Sequence, residues 1–361
     1  MALMKSTLTV ILLSILIIGT NTGCDSPYGS KMSPGITATG DVGEILVVCD
    51  QGIWESDIKL TLDSLLTQFI LPYFPDVATF EIITCTPSNF VKGKKRHRNV
   101  LMLNIDPAFS ENQGTIKKRK DVWSDQQAVV EITAKDFNQL HETCMNGLWA
   151  VHDVFDEMEW KRPLDRYVRH TNQKLKNEIE NKFGVLVDIP SGSNVVTRRK
   201  NFYRIEFPAS SKPIEFVGSG TQDPGTILTG VMIYQYNFTD SSQFELEQLC
   251  SDRDTMLKYN VPYDISGMYM GTQYEKLTYP ILDDFISSNG KIKGVEMRGM
   301  FKFLGLGRFG RGGAFWACHF YNEKTKKIVC VSTYLDASPM SSWTKNLREL
   351  QAVIKSVEIE K

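Results

Sequence analysis

Two places in this chain combine residue types at a spacing that could do chemistry. The first is Cys24. Lys5 supplies a positive start, Leu8 to Ile18 an apolar run, and Gly19 to Gly23 a small, polar stretch that ends at the thiol. This is the layout of a bacterial lipoprotein signal, and the chemistry it predicts is acylation (palmitate) of Cys24 after cleavage. The apolar run is shorter than the roughly 17–25 residues a membrane-spanning helix needs. Asn21 departs from the usual pattern, which carries Leu or another apolar residue three positions before the cysteine.

The second place is Gly305-Leu-Gly307-Arg-Phe-Gly310, a literal GxGxxG. A dinucleotide fingerprint needs a helix after the glycines, so that the pyrophosphate sits at its N-terminus. Here Arg311-Gly-Gly313 leads into Ala314 to Tyr321, a strand pattern. A kinase glycine loop would need HRD and DFG motifs, and neither is present. Two readings stay open. One is a hairpin loop whose glycines supply positive φ. The other is an anion-binding nest of backbone N–H groups, with Arg298, Arg308, Gly310, Arg311 and Gly312 as ligand contacts.

Elsewhere the chemical signals thin out. No GxSxG or HExxH occurs. His141 and His152 lie about three helical turns apart, too far to share a metal. Asp283, Asp284 and Glu296 could do acid–base work, but nothing in their spacing singles them out. Six cysteines follow Cys24 without a CxxC pair. Cys318 and Cys330 flank a turn and could face each other across it, or be buried thiols. The expectation is no metal, no cofactor and no identifiable catalytic residue. The near balance of 41 basic and 42 acidic residues argues against a general nucleic-acid binder, which would be strongly basic. The basic clusters 92–98, 117–120 and 198–200 read as solvated loops or contacts to anionic headgroups.

The elements that must position these residues predict an α+β fold: two packed lobes, mostly antiparallel or mixed sheets, with helices on one face. The predicted division is a signal peptide (1–23), a Ser/Pro/Gly tether (24–40), an N-terminal lobe (41–162) and a C-terminal lobe (163–361). Glu44 to Cys49, Phe80 to Thr84, Asn99 to Asn104 and Ala128 to Thr133 read as strands. A helix opens at Thr133 and carries Phe137, Leu140, Cys144, Leu148, Val151, Phe155 and Met158 on one stripe, until Pro163 breaks it. Beyond Gly184, strands are expected at 185–189, 202–207, 227–238, 268–270, 294–304, 314–321 and 327–335. A helix capped by Ser242 and Glu245 and a final helix from Ser342 complete the second lobe.

Several short motifs, taken in order, carry a resemblance: Gly43-Glu-Ile-Leu-Val-Val48, Arg98-Asn-Val-Leu101, Asp121-Val-Trp-Ser124 with Gln126-Gln127, Asp252-Arg-Asp254 before Val261-Pro262, Glu296-Met-Arg-Gly299, and Gly312 to Phe315. Together they resemble domain-of-unknown-function family 4837, an uncharacterised lipoprotein family of Gram-negative bacteria, over roughly the whole mature chain. Met300-Phe301 departs from that pattern, where an aromatic residue, usually Trp, follows Arg-Gly. The resemblance implies an envelope lipoprotein and no known activity. The expected function is therefore a lipid-anchored, non-enzymatic binding or structural module facing the periplasm or outer membrane. Its partners would be the membrane, through Cys24, and an anionic ligand or envelope protein. The competing expectation is a hydrolase of envelope polymers that uses carboxylates.

Overall fold

The computed structural model describes residues 35–211, 226–262, 267–304, 312–337 and 343–359. The first lobe is laid out by short aliphatic runs. Its elements are β1 (Glu44–Val48), α1 (Gln51–Trp54), α2 (Asp57–Leu66), β2 (Glu81–Cys85), β3 (Asn99–Ile105), β4 (Thr115–Lys120), β5 (Ala128–Ala134) and α3 (Phe137–Arg169). The strands form one mixed sheet in the order β2-β1-β3-β5-β4, with only β4 antiparallel. Ile58, Leu62 and Leu66 of α2 and Leu140, Leu148, Val151 and Phe155 of α3 cover one face. Phe90 and Trp123, edge to face at 5.3 Å, cover Leu46, Val48 and Val100 on the other.

The second lobe contains α4 (Gln173–Phe183), β6 (Asn194–Arg199), β7 (Phe202–Glu206), β8 (Ser210–Ser211), β9 (Thr226–Asn237), α5 (Leu246–Asn260), β10 (Tyr269–Thr272), β11 (Ile281–Ile286), β12 (Lys293–Leu304), β13 (Gly312–Asn322), β14 (Lys327–Asp336) and α6 (Thr344–Lys355). Its antiparallel sheet runs β10-β12-β13-β14-β9-β7-β6, with β11 also on β12 and β8 on β9. Period-2 alternation gives β12 to β14 two apolar faces, so both need cover. Leu175, Ile179 and Phe183 of α4 and Leu347, Leu350 and Ile354 of α6 pack on one. Leu249, Cys250 and Leu257 of α5 pack on the other.

The protein is thus α+β, with two packed lobes and no strand shared between their sheets. In the first lobe the α-helices lie on one face; in the second, α5 stands opposite α4 and α6. Helix α6 joins the lobes. Arg348, 2 % exposed, pairs with Asp156 of α3 and donates to the Thr79 carbonyl at 3.1 Å. Glu349 accepts from Arg166 and Tyr167 of α3. The Tyr73 hydroxyl, fully inside, donates to the Phe315 carbonyl at 3.1 Å.

Several local expectations change. Pro163 does not end the helix; α3 runs on to Arg169. The ring removes one backbone donor, but tertiary bonds hold the helix at that point. Arg162 donates to the carbonyls of Gln126 and Arg98, to the Asn99 side chain and to Glu159. The cap of α3 is Asp136, accepting from Gln139 N, because β5 continues through Thr133. The capping box lies at Asp240 and Gln243, on a 3₁₀ turn ahead of α5. Residues 185–189 form no strand, only a bridge from Leu186 to Glu358. The basic runs 117–120 and 198–199 lie on strands β4 and β6, at sheet edges where lysines and arginines discourage further pairing.

Candidate ligand groove along helix α5

Cys24, Arg308, Gly310 and Arg311 lie outside the described residues. Gly312 and its neighbour Gly313 are explained by backbone proximity. A Cβ would meet the Phe301 carbonyl at 2.4 Å from Gly312 and the Leu335 carbonyl at 1.8 Å from Gly313. Arg298 already has partners: Asp283 at 2.5 Å, Glu296 at 3.8 Å, and the Trp316 ring 5.3 Å below its guanidinium. Glu296 also meets Lys355 of α6 at 3.5 Å. Asp283 and Glu296 stand directly opposite on β11 and β12. The geometry brings Asp283, Glu296 and Arg298 together as a closed ion network, with each carboxylate next to a cation.

The cysteines are six buried, free thiols among the described residues. Cys318 and Cys330 do not face each other. Cys318 registers with Val331 and Cys330 with His319, one residue out of step, so the two thiols enter opposite faces of the sheet. No group of three or more His, Cys, Asp and Glu among the described residues could hold a metal ion.

Among the described residues lies a concavity that motif reading misses. Helix α5, β10 and the β10–β11 connection border an open groove of about 460 Å³, lined by Glu247, Cys250, Ser251, Asp254, Thr255, Lys258, Tyr269, Tyr274 and Tyr279. Its helical wall follows from spacing: 247, 251, 254, 255 and 258 share one face of a 3.6-residue helix. Asp254 fixes the opposite wall. One of its oxygens accepts from the Thr272 backbone N–H (2.8 Å) and hydroxyl (2.7 Å), and the other from the Tyr274 hydroxyl (2.7 Å). Burial, with Asp254 adding to it, holds the Tyr274 phenol above its ordinary pKa, so it stays a donor. Tyr274 and Tyr279 lie 6.0 Å apart, tilted at 56°, and are 44 % and 39 % exposed. Burial pushes the Cys250 thiol up to about 11, so the groove floor is neutral.

The groove belongs to the part of the chain that matches a known family. The chain belongs to the family described as Domain of unknown function (DUF4837), whose model matches residues 172–356. A second model, Domain of unknown function (DUF8532), matches residues 38–168. The DUF4837 match is therefore narrower than the resemblance implied, and the motifs up to Gln127 fall in the DUF8532 part. No curated protein matches the chain. Among solved structures, the Saccharomyces cerevisiae Ran-binding protein Mog1p is similar at 9 % identity, covering 49 % of this chain and 90 % of that one, with a TM-score of 0.25. A Mog1 point mutant is similar at 8 % identity, with the same coverage and a TM-score of 0.23.

Proposed function

We propose that this DUF4837 protein is a binding module of the bacterial cell envelope, anchored through Cys24, whose groove along α5 takes a hydroxyl-rich ligand such as a saccharide. The observation that carries this reading is the pair of exposed rings, Tyr274 and Tyr279, beside a carboxylate locked by three hydrogen bonds. Tilted, half-exposed tyrosines offer flat apolar faces with polar rims, at low entropic cost to ordering. Ser251, Thr255 and Glu247 add hydroxyl and carboxylate partners along one wall, and the volume is in the range of small-ligand sites. Asp254 favours binding over hydrolysis, because both its oxygens already accept from Thr272 and Tyr274 and serve to fix the wall.

Binding of soluble glycan fragments to the full chain, read by calorimetry, tests the reading. Tyr274→Ala and Tyr279→Ala should each weaken the best ligand about tenfold, the effect of losing about 1.4 kcal/mol of ring contact. Ligands that bind both variants as tightly as the parent would rule the groove out. The anchor is tested by Cys24→Ser, which should move the protein from the membrane fraction to the soluble one.

A further inference from the structure

Arg253 lies on the sheet-facing side of α5, with no solvent exposure. Its guanidinium stacks 3.9 Å over the ring of Phe315. None of its three nitrogens has a hydrogen-bond partner. The neighbouring acids in sequence do not serve it: Asp254 is bonded to Thr272 and Tyr274, and Asp252 accepts from Gln248 at 3.0 Å. Isolating a charge from water costs several kcal/mol unless it is paired.

The surroundings are polar but uncharged. Tyr234, Cys330 and His319 sit in register across β9, β14 and β13, forming one row on the α5 face. His319 Nδ1 has no hydrogen-bond partner, and the Tyr234 hydroxyl makes no bond to an oxygen or nitrogen. Burial, reinforced by Arg253, pushes the His319 imidazole down to about 3, and burial pushes the Cys330 thiol up to about 12. Near pH 7 the row is therefore neutral, and none of its members pairs with the guanidinium of Arg253 on α5. Cys250 connects this interior to the groove: it lines the groove, and its thiol is within electrostatic reach of Arg253.

We propose that Arg253, with the Tyr234 hydroxyl and His319, forms a binding site for one small oxyanion, a carboxylate or a phosphoryl group, beneath α5. The planar fork of the guanidinium matches two oxygens of either group. Tyr234 supplies a further donor, and His319 one in the tautomer that protonates Nδ1. The site stands apart from the saccharide reading, since it uses none of the groove's tyrosines.

The test is the thermal unfolding of the full chain in a buffer free of oxyanions, titrated separately with inorganic phosphate, sulfate and acetate, with chloride at matched ionic strength as control. At least one oxyanion should raise the melting temperature by several degrees in a saturable way, and chloride should not. The oxyanion with the lowest midpoint separates a phosphoryl from a carboxylate source. Arg253→Met should abolish the response and, without oxyanion, melt no lower than the parent, because a lone buried charge has gone. Should that variant fail to fold, Arg253→Lys and His319→Gln decide: each should raise the midpoint at least tenfold. The proposal is overturned if oxyanions act no differently from chloride, or if the variants respond as the parent does.

Discussion

His319 has no exposure, and its imidazole pKa is pushed down to about 3, first by burial and then by the Arg253 guanidinium. In the unfolded chain the same group titrates near 6.5. Above that pH neither state is protonated, and the full stability is present. As pH falls from about 6.5 towards about 3, the unfolded chain takes a proton that the folded chain refuses. Stability is then lost at up to about 1.4 kcal/mol per pH unit. Urea unfolding of the parent and His319→Gln across that window should show this slope in the parent and a shallower one in the variant. The signal that could have exposed this region was in the sequence. Arg253 falls four residues after Leu249 and four before Leu257, in the apolar stripe of α5 where a cation is out of place. Tyr274 and Tyr279 had no such signal, because a loop has no period to violate. Arg98, Asn99 and Gln127, noticed as motif residues, turn out to hold structure. Gln127 bonds the carbonyls of Lys95 and His97, while Arg98 and Asn99 meet the fully buried Glu159.

Among the elements, α6 has the most to hold together. Arg348 is its anchor in the first lobe, through Asp156 and the Thr79 carbonyl, and it is braced by Gln351 of the same helix. Arg348→Ala should cost about 2–3 kcal/mol, the value of losing hydrogen bonds to a charged group with one partner left buried. The checking measurement is the urea midpoint, which should fall without a change in slope. Strand types and order in sequence were legible wherever aliphatic runs were long, as in β3, β5, β13 and β14. Edge strands β4, β6 and β11 were not, since their exposed charges look like loops: Lys117 to Lys120 has the composition of a solvated turn. Pro163 was misread for a different reason. Local propensity says stop, while the bonds from Arg162 to Arg98, Asn99 and Gln126 say continue, and only the folded chain brings those three near.

At the scale of the whole molecule, the lobes share one apolar cluster. Ile70, Tyr73 and Val77 from the first lobe and Tyr167 from α3 pack with residues of the second sheet and α6. We expect one cooperative calorimetric transition for the full chain, with calorimetric and van't Hoff enthalpies in agreement. Residues 38–168 made alone should unfold at lower temperature and bind hydrophobic dyes, because that cluster is cut open. Two separated transitions in the full chain would contradict this. The α+β class and the two lobes were readable from the order of helices and strands. Their joining through α6 was not, because it depends on pairs such as Arg348 and Thr79, far apart in sequence.

The same helix sets a timetable for synthesis. Arg348 meets its acceptor on Thr79 across a separation of 269 residues. At about 5–20 residues per second, that acceptor leaves the ribosome roughly 13–54 s before its donor. Until the second lobe and α6 have emerged, Ile70, Tyr73 and Val77 lack the residues that cover them in the folded protein, and remain available to whatever meets the nascent chain. A chain built this way stays unfinished, and so open to a chaperone, until α6 has emerged.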